Sequence, residues 1–200
     1  MSEPMAVAPL ALEGRAVRLE PLSLDHLPGL IAIGLDEDLW RWTNAVITTP
    51  EQLRAYVETA LDEQARGVSL PFATVELAGG AVAGCTRYGN IDRRNRRVEI
   101  GWTWVGRPWQ RSVVNTEAKY LMLRHAFETL GCIRVELKTD ALNERSRRAI
   151  GRIGGQEEGT LRRHMITDSG RVRDTVYFSI LDSEWPAAKA NLERMLAREE

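Results

Sequence analysis

The sequence has few of the residues that would mark a metal centre, a disulfide framework or a nucleic-acid-binding surface. It contains only two cysteines, Cys85 and Cys132, which lie far apart and lack metal-ligand spacing. We expect both to be reduced, partly buried thiols, and we predict no metal. The formal net charge is -1, whereas proteins that coat nucleic acid are usually basic. The composition therefore argues against nucleic acid as a partner. The basic run DRRNRR is most simply a solvated hairpin tip, although it could instead attract an acidic partner such as ribosomal RNA.

Long apolar runs are missing as well. The N-terminal segment MSEPMAVAPLALEG has neither a basic start nor a long apolar core, and no stretch of about 20 apolar residues follows it. This predicts a cytoplasmic protein without a signal peptide or a membrane partner. Hydrophobic residues make up 44% of the 200 residues and charged residues 28%, which is typical of a soluble globular domain. We expect a flexible tail over residues 1–13 and a single domain over residues 14–200 that includes a C-terminal helix.

The hydrophobic periodicity predicts an α+β fold. Its elements follow in the order strand, two helices, three strands, helix, strand, helix, two strands, helix. That order favours a mixed, mostly antiparallel sheet flanked by helices. Thr49, Pro50 and Gln52 have the pattern of a capping box at the start of the second helix. Gly79-Gly80 marks a hairpin between two strands.

A polar, basic loop joins one predicted strand to a long helix. Simple alternation in this strand places residues on two faces, with Val98, Ile100, Trp102 and Trp104 on one and Glu99, Gly101 and Thr103 on the other. The loop RPWQRSVVN follows, and then a helix from about Val114 to Leu130. The unit from Glu99 to Thr139 should form two parallel strands joined by this helix. Amides at the start of a helix can bind an anion, although most such loops bind nothing.

Several motifs then occur in a fixed order along the chain. VEIGWTWV is followed by QRSVVN, by Thr116-Glu117-Ala118 at the start of a helix, by TDALNERS before the next helix, and by Gly154 and RDTVYFSIL. In this order and spacing, the segment from about Gly14 to Trp185 resembles the GCN5-related N-acetyltransferase (GNAT) superfamily, in its RimJ/RimL-type branch of ribosomal-protein N-acetyltransferases. The resemblance implies an acyl-CoA N-acyltransferase fold whose central strands, Glu99–Val105 and Arg134–Thr139, splay apart and bind acetyl-CoA between them.

The resemblance also implies where the cofactor would lie. Backbone groups of Trp104 and Val105 would bind the pantetheine, and Asn143 would bond the cofactor or a strand. The pyrophosphate would lie on the loop and the first helical turn, at Gln110, Arg111, Ser112, Val113, Val114, Asn115 and Thr116. Val113 stands where the family loop has a glycine, and Asn115 where it has glycine or alanine. A β-branched residue disfavours positive φ, so we expect Val113 to have a negative φ and to keep its amide directed at the cofactor.

The implied reaction is direct attack on the thioester by a primary amine, from a protein N-terminus or a small molecule. Glu99 is the candidate general base, through water, and pairing with one of Arg94 to Arg97 is the alternative. Ser146 is the candidate acid or thiol-binding group, because this branch uses the serine of the motif. Asn143 and Ser146 could also simply cap a helix. Many superfamily members have a tyrosine seven residues after the asparagine, where this chain has Ile150.

The acceptor side is less well defined by the sequence. Trp40 and Trp42 could form the wall of an acceptor pocket or pack in the core. Asp174 could line the acceptor groove or pair with Arg171 or Arg173. Two other functions stay open, namely a CoA-binding regulatory module without catalysis and transfer from a different acyl-CoA. The amphipathic last helix and exposed strand edges are compatible with a homodimer.

Overall fold

The computed structural model describes residues 5–198. Its centre is one eight-stranded sheet in the order β1-β2-β3-β4-β5-β6-β8-β7. The strands are β1 (Leu12–Glu13), β2 (Val17–Pro21), β3 (Leu70–Glu76), β4 (Val82–Asp92), β5 (Arg97–Val105), β6 (Arg134–Asp140), β7 (Gln156–Ile166) and β8 (Val172–Leu181). The helices are α1 (Leu27–Gly34), α2 (Glu37–Trp40), α3 (Pro50–Ala65), α4 (Val113–Arg124), α5 (Glu144–Arg152) and α6 (Trp185–Leu196). The predicted α+β class is confirmed.

The sheet divides along its middle. Strands β5 and β6 are parallel and joined through α4, as predicted, whereas the other neighbouring strands are antiparallel. The paired stretch of β5 and β6 is short and runs from Arg97 opposite Arg134 to Glu99 opposite Glu136. Beyond it, β5 follows β4 as far as Val105 and β6 follows β8 as far as Asp140. The two strands therefore splay and leave a wedge-shaped cleft.

Helices cover both faces of the sheet. Helices α4 and α6 pack on one face, where the larger core includes Ile100, Leu121 and Leu192. Helices α1 and α3 pack on the other face, where a second core includes Leu53 and Trp104. Burial of these apolar side chains supplies the main driving force for folding. No helix among residues 5–198 is long and apolar enough to cross a bilayer.

Both cysteines are buried as free thiols. Cys85 lies in the second core and Cys132 in the larger one. Burial raises the pKa of each thiol to about 11. Because thiols with such pKa values stay protonated at neutral pH, both behave as small apolar side chains.

The alternation predicted for β5 is wrong beyond Gly101, because the strand contains a bulge at Trp102. Cys85 pairs with Trp104 and Arg87 pairs with Gly101, so β5 has one residue more than β4 over this stretch. Trp102 takes up the extra length with a φ of 49° and is 40% exposed. The bulge reverses which face the following side chains occupy.

The residues after the bulge show this reversal. Trp104 packs on the α3 face, although Val98 and Ile100 lie in the core below α4. Thr103 faces α4, where its hydroxyl lies 2.7 Å from that of Thr86. Gly89 makes room for the displaced Trp102, since a Cβ at Gly89 would lie 2.3 Å from the indole ring.

The predicted N-terminal tail also needs correction over its described part. Residues 1–4 lie outside the described residues, but Met5 is only 5% exposed and contacts Cys132 in the core. Leu12–Glu13 forms β1 at the edge of the sheet. This segment is apolar enough to cover the core below α4. Its sequence has no clear periodicity, so the pattern of residues did not predict that it would be buried.

Helix ends follow the local signals closely. At the start of α3, Gln52 N donates to Thr49 Oγ1 and Thr49 N donates to Gln52 Oε1, which is the predicted capping box. Helix α4 starts at Val113 and continues as a π-helical turn, His125–Thr129, up to Gly131 at φ 63°. The region DEDLWRWT contains the short helix α2, capped by Asp36.

Glu117 ties α4 to the beginning of the sheet. Its carboxylate is 5% exposed and accepts three backbone hydrogen bonds, from Arg15 N at 2.9 Å, Ala16 N at 2.7 Å and Val17 N at 2.8 Å. Gly14 is required beside it, because a Cβ there would lie 2.5 Å from the carboxyl carbon. Glu117, which stands between Thr116 and Ala118 in the sequence motif, thus has a structural role.

Replacing Glu117 with alanine should destabilise the fold strongly. Three backbone amides would lose their charged acceptor, at a cost of about 3 kcal/mol or more in unfolding free energy. Urea denaturation would measure this loss. Glu144→Ala is the matched control, because Glu144 is exposed and pairs only with Arg148 on its own helix. Equal stability of the two variants would contradict the proposed anchoring role.

Candidate active site

The cleft between β5 and β6 is a cavity of about 1960 Å³. It extends from the first turn of α4, past the splayed strands, to α3 and β8. It brings together Trp40, Trp42, Glu99, Trp104, Val105, Gln110, Arg111, Ser112, Asn115, Thr116, Asn143 and Ser146. Val113, Val114 and Asp174 do not line it, and Val114 is buried in the core below α4.

The loop before α4 keeps its first helical turn available. Ser112 caps the helix, since its Oγ accepts from Val114 N at 3.3 Å and donates to the Trp109 carbonyl at 2.6 Å. Val113 has negative φ, as expected, and the left-handed residue of the loop is Arg111 at φ 61°. The remaining first-turn amides have no acceptor within the helix. The valine is therefore compatible with an anion site made by backbone amides.

The wall formed by β5 differs from the expectation at one residue. The Trp104 carbonyl oxygen faces β4, because a Cβ on Gly84 would lie 2.1 Å from it. Successive residues of a strand direct their backbone groups to opposite sides, so Val105 is the residue that faces the cleft. Its carbonyl accepts a hydrogen bond from Gln110 Nε2 at 3.0 Å, and Gln110 Oε1 accepts from Arg145 at 2.9 Å.

Glu99 lies on the wall of the cleft and is 7% exposed. Its Oε2 accepts from Asn90 Nδ2 at 2.5 Å and pairs with Lys138 Nζ at 2.8 Å. Burial acts to lower the pKa of Lys138, but the hydrogen bond and charge of Glu99 outweigh it and raise that pKa overall. None of the arginines at positions 94–97 pairs with Glu99. Its Oε1 accepts no hydrogen bond from residues 5–198, so one carboxylate oxygen is free to face the cleft.

Asn143 and Ser146 lie together at the start of α5. Asn143 caps the helix, and its Oδ1 accepts from Ser146 N at 3.0 Å. The Ser146 hydroxyl lines the cleft and forms no hydrogen bond within the described chain. Ile150 is 7% exposed and packs in the core, so an apolar side chain occupies the tyrosine position.

The three residues predicted for the acceptor side, Trp40, Trp42 and Asp174, lie in different places in the structure. Trp40 is 4% exposed, donates from Nε1 to the Gly34 carbonyl at 2.7 Å and packs against Trp104 in the second core. Trp42 lines the cleft and stacks under Arg171 at 5.3 Å. Asp174 lies at a separate surface depression, where it accepts from Arg163 N at 2.6 Å. It pairs with neither Arg171 nor Arg173, because both face Asp140.

Comparison with known proteins identifies the family. A family model described as an acetyltransferase (GNAT) domain matches residues 16–156. This chain belongs to the GNAT acetyltransferases. It is 31% identical over 174 residues to YdaF of Bacillus subtilis (strain 168), whose name provisionally calls it a ribosomal N-acetyltransferase. The alignment covers 86% of this chain and 92% of YdaF.

Solved structures agree with this assignment. A GCN5-related N-acetyltransferase from Brucella melitensis is 36% identical with a TM-score of 0.90, and the match covers 98% of this chain and 90% of that one. Mycobacterium smegmatis RimJ in complex with CoA-disulfide is 25% identical with a TM-score of 0.78, covering 94% and 93%. This GNAT acetyltransferase therefore has the predicted fold and belongs to the RimJ/RimL-type branch.

The α4 end of the cleft fits acetyl-CoA, the acyl donor used by GNAT acetyltransferases. Three arginines line it without an ion pair to any carboxylate of residues 5–198, namely Arg111, Arg145 and Arg152. Asn115 Oδ1 is buried there without a hydrogen-bond partner. The inner edges of the splayed strands leave backbone groups unpaired, which suits the amides of an extended ligand. Positive charge, helix amides and open strand edges thus match phosphates and a pantetheine chain.

Asn115→Asp should separate anion binding from folding. A carboxylate in the first turn is favourable toward the helix dipole, but it would repel a phosphate and weaken CoA binding about tenfold or more. Isothermal titration with CoA would give the affinity, and thermal melting would show the fold intact. Asn115→Ala is the control, since it removes the amide without adding charge. Equal CoA affinities for the aspartate and alanine variants would contradict a phosphate at this position.

Lys119 is a cleft residue that the sequence reading missed. It lies on α4, is 7% exposed and donates from Nζ to Thr103 Oγ1 at 2.6 Å and to Thr86 Oγ1 at 3.4 Å. No carboxylate within the described chain pairs with it, and burial lowers its pKa to about 7. The signal for it was spacing, because Lys119 follows Asn115 and Thr116 by one helical turn and so shares their face.

The buried lysine should make stability depend on pH. Its pKa is lower in the folded state than in the unfolded chain, so between about pH 7 and pH 10.5 the unfolded state binds more protons and stability rises with pH. Lys119→Met should be stabilising, by on the order of a few kcal/mol near pH 7, and this gain should shrink towards pH 10. Urea denaturation across this range would measure it. Lys189→Met is the surface control, and we expect it to give no gain in stability that shrinks with pH. An effect of Lys119→Met that does not change with pH would refute the lowered pKa of Lys119.

Proposed function

We propose that this GNAT acetyltransferase transfers an acetyl group from acetyl-CoA directly to a primary amine, on a protein N-terminus or a small molecule. The observation that carries the proposal is Glu99, a buried carboxylate with one free oxygen on the wall of the cleft. It lies on the α3 face of the sheet, away from the arginines around α4. The amine would therefore approach from the α3 side and the cofactor from the α4 side.

The donor end of the cleft would bind acetyl-CoA through backbone hydrogen bonds and through positively charged side chains. The first-turn amides of α4, with Arg111 and Arg145 nearby, would bind its phosphates, and the backbone of Val105 would bind the pantetheine. When bound, acetyl-CoA supplies the activated acyl group as a thioester. Gln110 holds the Val105 carbonyl in place and so fixes the strand end that contacts the cofactor.

Glu99 would take a proton from the amine through water. Only a neutral amine can attack a carbonyl carbon, whereas a simple alkyl amine has a pKa near 10 and an α-amine near 8. Lys138 and Asn90 keep Oε2 of Glu99 occupied and leave Oε1 to accept the proton. Gly101 keeps this position open, because a Cβ there would lie 3.0 Å from Oε1.

Ser146 would donate to the thiolate that departs. Its hydroxyl faces the cleft without a competing partner among residues 5–198, and the Asn143 cap fixes the backbone that carries it. A serine hydroxyl is a weak acid, so its contribution would be hydrogen bonding to the sulfur rather than complete proton transfer.

Glu99→Gln should reduce turnover about 100-fold or more at pH 7 and much less at pH 10, since at high pH the amine is already neutral. Steady-state CoA release measured from pH 6.5 to 10 would show whether the deficit shrinks. Glu136→Gln is the matched control, because Glu136 is a neighbouring buried carboxylate paired with Arg97 and Arg134 outside the cleft. A deficit of the same size at every pH would point to a structural role for Glu99.

A further inference from the structure

The acceptor end of the cleft contains a second set of polar groups that the proposed reaction does not use. Arg173 and Thr175 lie two residues apart on β8 and both line the cleft. Residues two apart on a strand share one face, and Thr175 is paired with Asp140 of β6. Glu99 and Lys138 lie further along the same face of the sheet.

Arg173 is buried with most of its hydrogen-bonding capacity unused. It is 8% exposed, and of its five N–H donors only one is engaged within residues 5–198, from Nη1 to Asn44 Oδ1 at 2.9 Å. Its Nε is buried without a partner. The Asp140 carboxylate lies 3.9 Å from Nε, beyond hydrogen-bond distance. A buried guanidinium with free donors is costly unless an acceptor completes it.

Asp140 is not available to complete it. One of its oxygens accepts from Arg171 at 2.5 Å and the other accepts from Leu142 N at 2.9 Å. Arg171 therefore balances the charge of Asp140, and Lys138 balances that of Glu99. Asp168, which also lines this end, is exposed and forms no ion pair with a described residue. Arg173 therefore shares Asp140 with Arg171 and has no carboxylate of residues 5–198 hydrogen-bonded to it.

Thr175 provides a second unsatisfied group beside it. The residue is 1% exposed, and its Oγ1 has no hydrogen-bond partner within the described chain. Burial lowers the pKa of Arg173, while the charges of Asp140 and Glu99 act in the opposite direction. Arg173, Thr175 and Glu99 all line the same cleft.

We propose that the acceptor is a small amino acid whose carboxylate binds the Arg173 guanidinium, with Thr175 as a neighbouring donor, while its amine lies beside Glu99. A carboxylate is the group that best matches a guanidinium, because it accepts two parallel N–H bonds and carries the opposite charge. This inference rests on the proposed function and narrows it to one class of amine.

The test uses the full chain, acetyl-CoA and matched acceptors. CoA release is measured with glycine, β-alanine, γ-aminobutyrate and 5-aminovalerate, which separate amine and carboxylate progressively, and with the primary amide of each. The wild type should favour at least one acid over its amide. Arg173→Gln should raise the KM for that acid about tenfold or more and leave the KM for acetyl-CoA unchanged. Arg173→Lys should recover part of the affinity, and Arg147→Gln, at a surface pair with Glu157, should behave as wild type.

The possible failures are distinguishable. Equal or better turnover of the amides, or of peptides with neutral side chains, would overturn the carboxylate site and leave the acetyl transfer intact. No CoA release with any amine would overturn the proposed function. In that case the melting temperature of the protein is measured with each N-acetylated acid and with its amide, which tests whether Arg173 binds a carboxylate. Stabilisation by an acid alone, lost in Arg173→Gln, would support it, and equal shifts or none would refute it.

Discussion

The structure depends on one incomplete pairing, that of β5 with β6. The two strands are hydrogen-bonded only from Arg97 opposite Arg134 to Glu99 opposite Glu136, and then each follows its outer neighbour. Backbone donors and acceptors in the middle of a sheet are thereby left without partners, which a folded protein tolerates only where water or a ligand can reach them. The cleft, the open end of α4 and the buried Glu99 all lie along this gap. The proposed acetyl transfer would take place in this gap between the two strands.

The buried carboxylates of the cleft have cationic partners, whereas two of its buried cations lack a hydrogen-bonded carboxylate among the described residues. Glu99 is matched by Lys138 and Asp140 by Arg171, so these carboxylates contribute little net field. Two buried cations lack a hydrogen-bonded carboxylate within the described chain, Lys119 at the donor end and Arg173 at the acceptor end. Desolvated charges of this kind are expensive and tend to occur where a ligand completes them. Their separation along the cleft suits a reaction that brings two molecules together.

The sequence predicted the elements well because the signals for them are local. The capping box at Thr49, the cap at Asn143 and the glycine after the π-helical turn are each set by a few adjacent residues. The order of motifs predicted the splayed strands and Ser146 on the cleft, and the β-branched side chain of Val113 predicted its negative φ. It failed at Trp102, where one extra residue in β5 reverses the faces of Thr103 and Trp104. A bulge is decided by pairing with β4, and nothing in the alternation of VEIGWTWV signals it.

The sequence by itself thus determined the fold class, the family and the end of the sheet at which the candidate site lies, because periodicity, caps and motif spacing are encoded along the chain. Only the tertiary structure decided which charges meet. Glu99 pairs with Lys138 rather than with the adjacent arginines, Glu117 holds the amides at positions 15–17, and Arg173 bonds Asn44. These partners come from distant segments, so no local pattern predicts them. They are fixed by the packing of strands and helices against one another, since burial makes each unpaired polar group costly and so selects its partner.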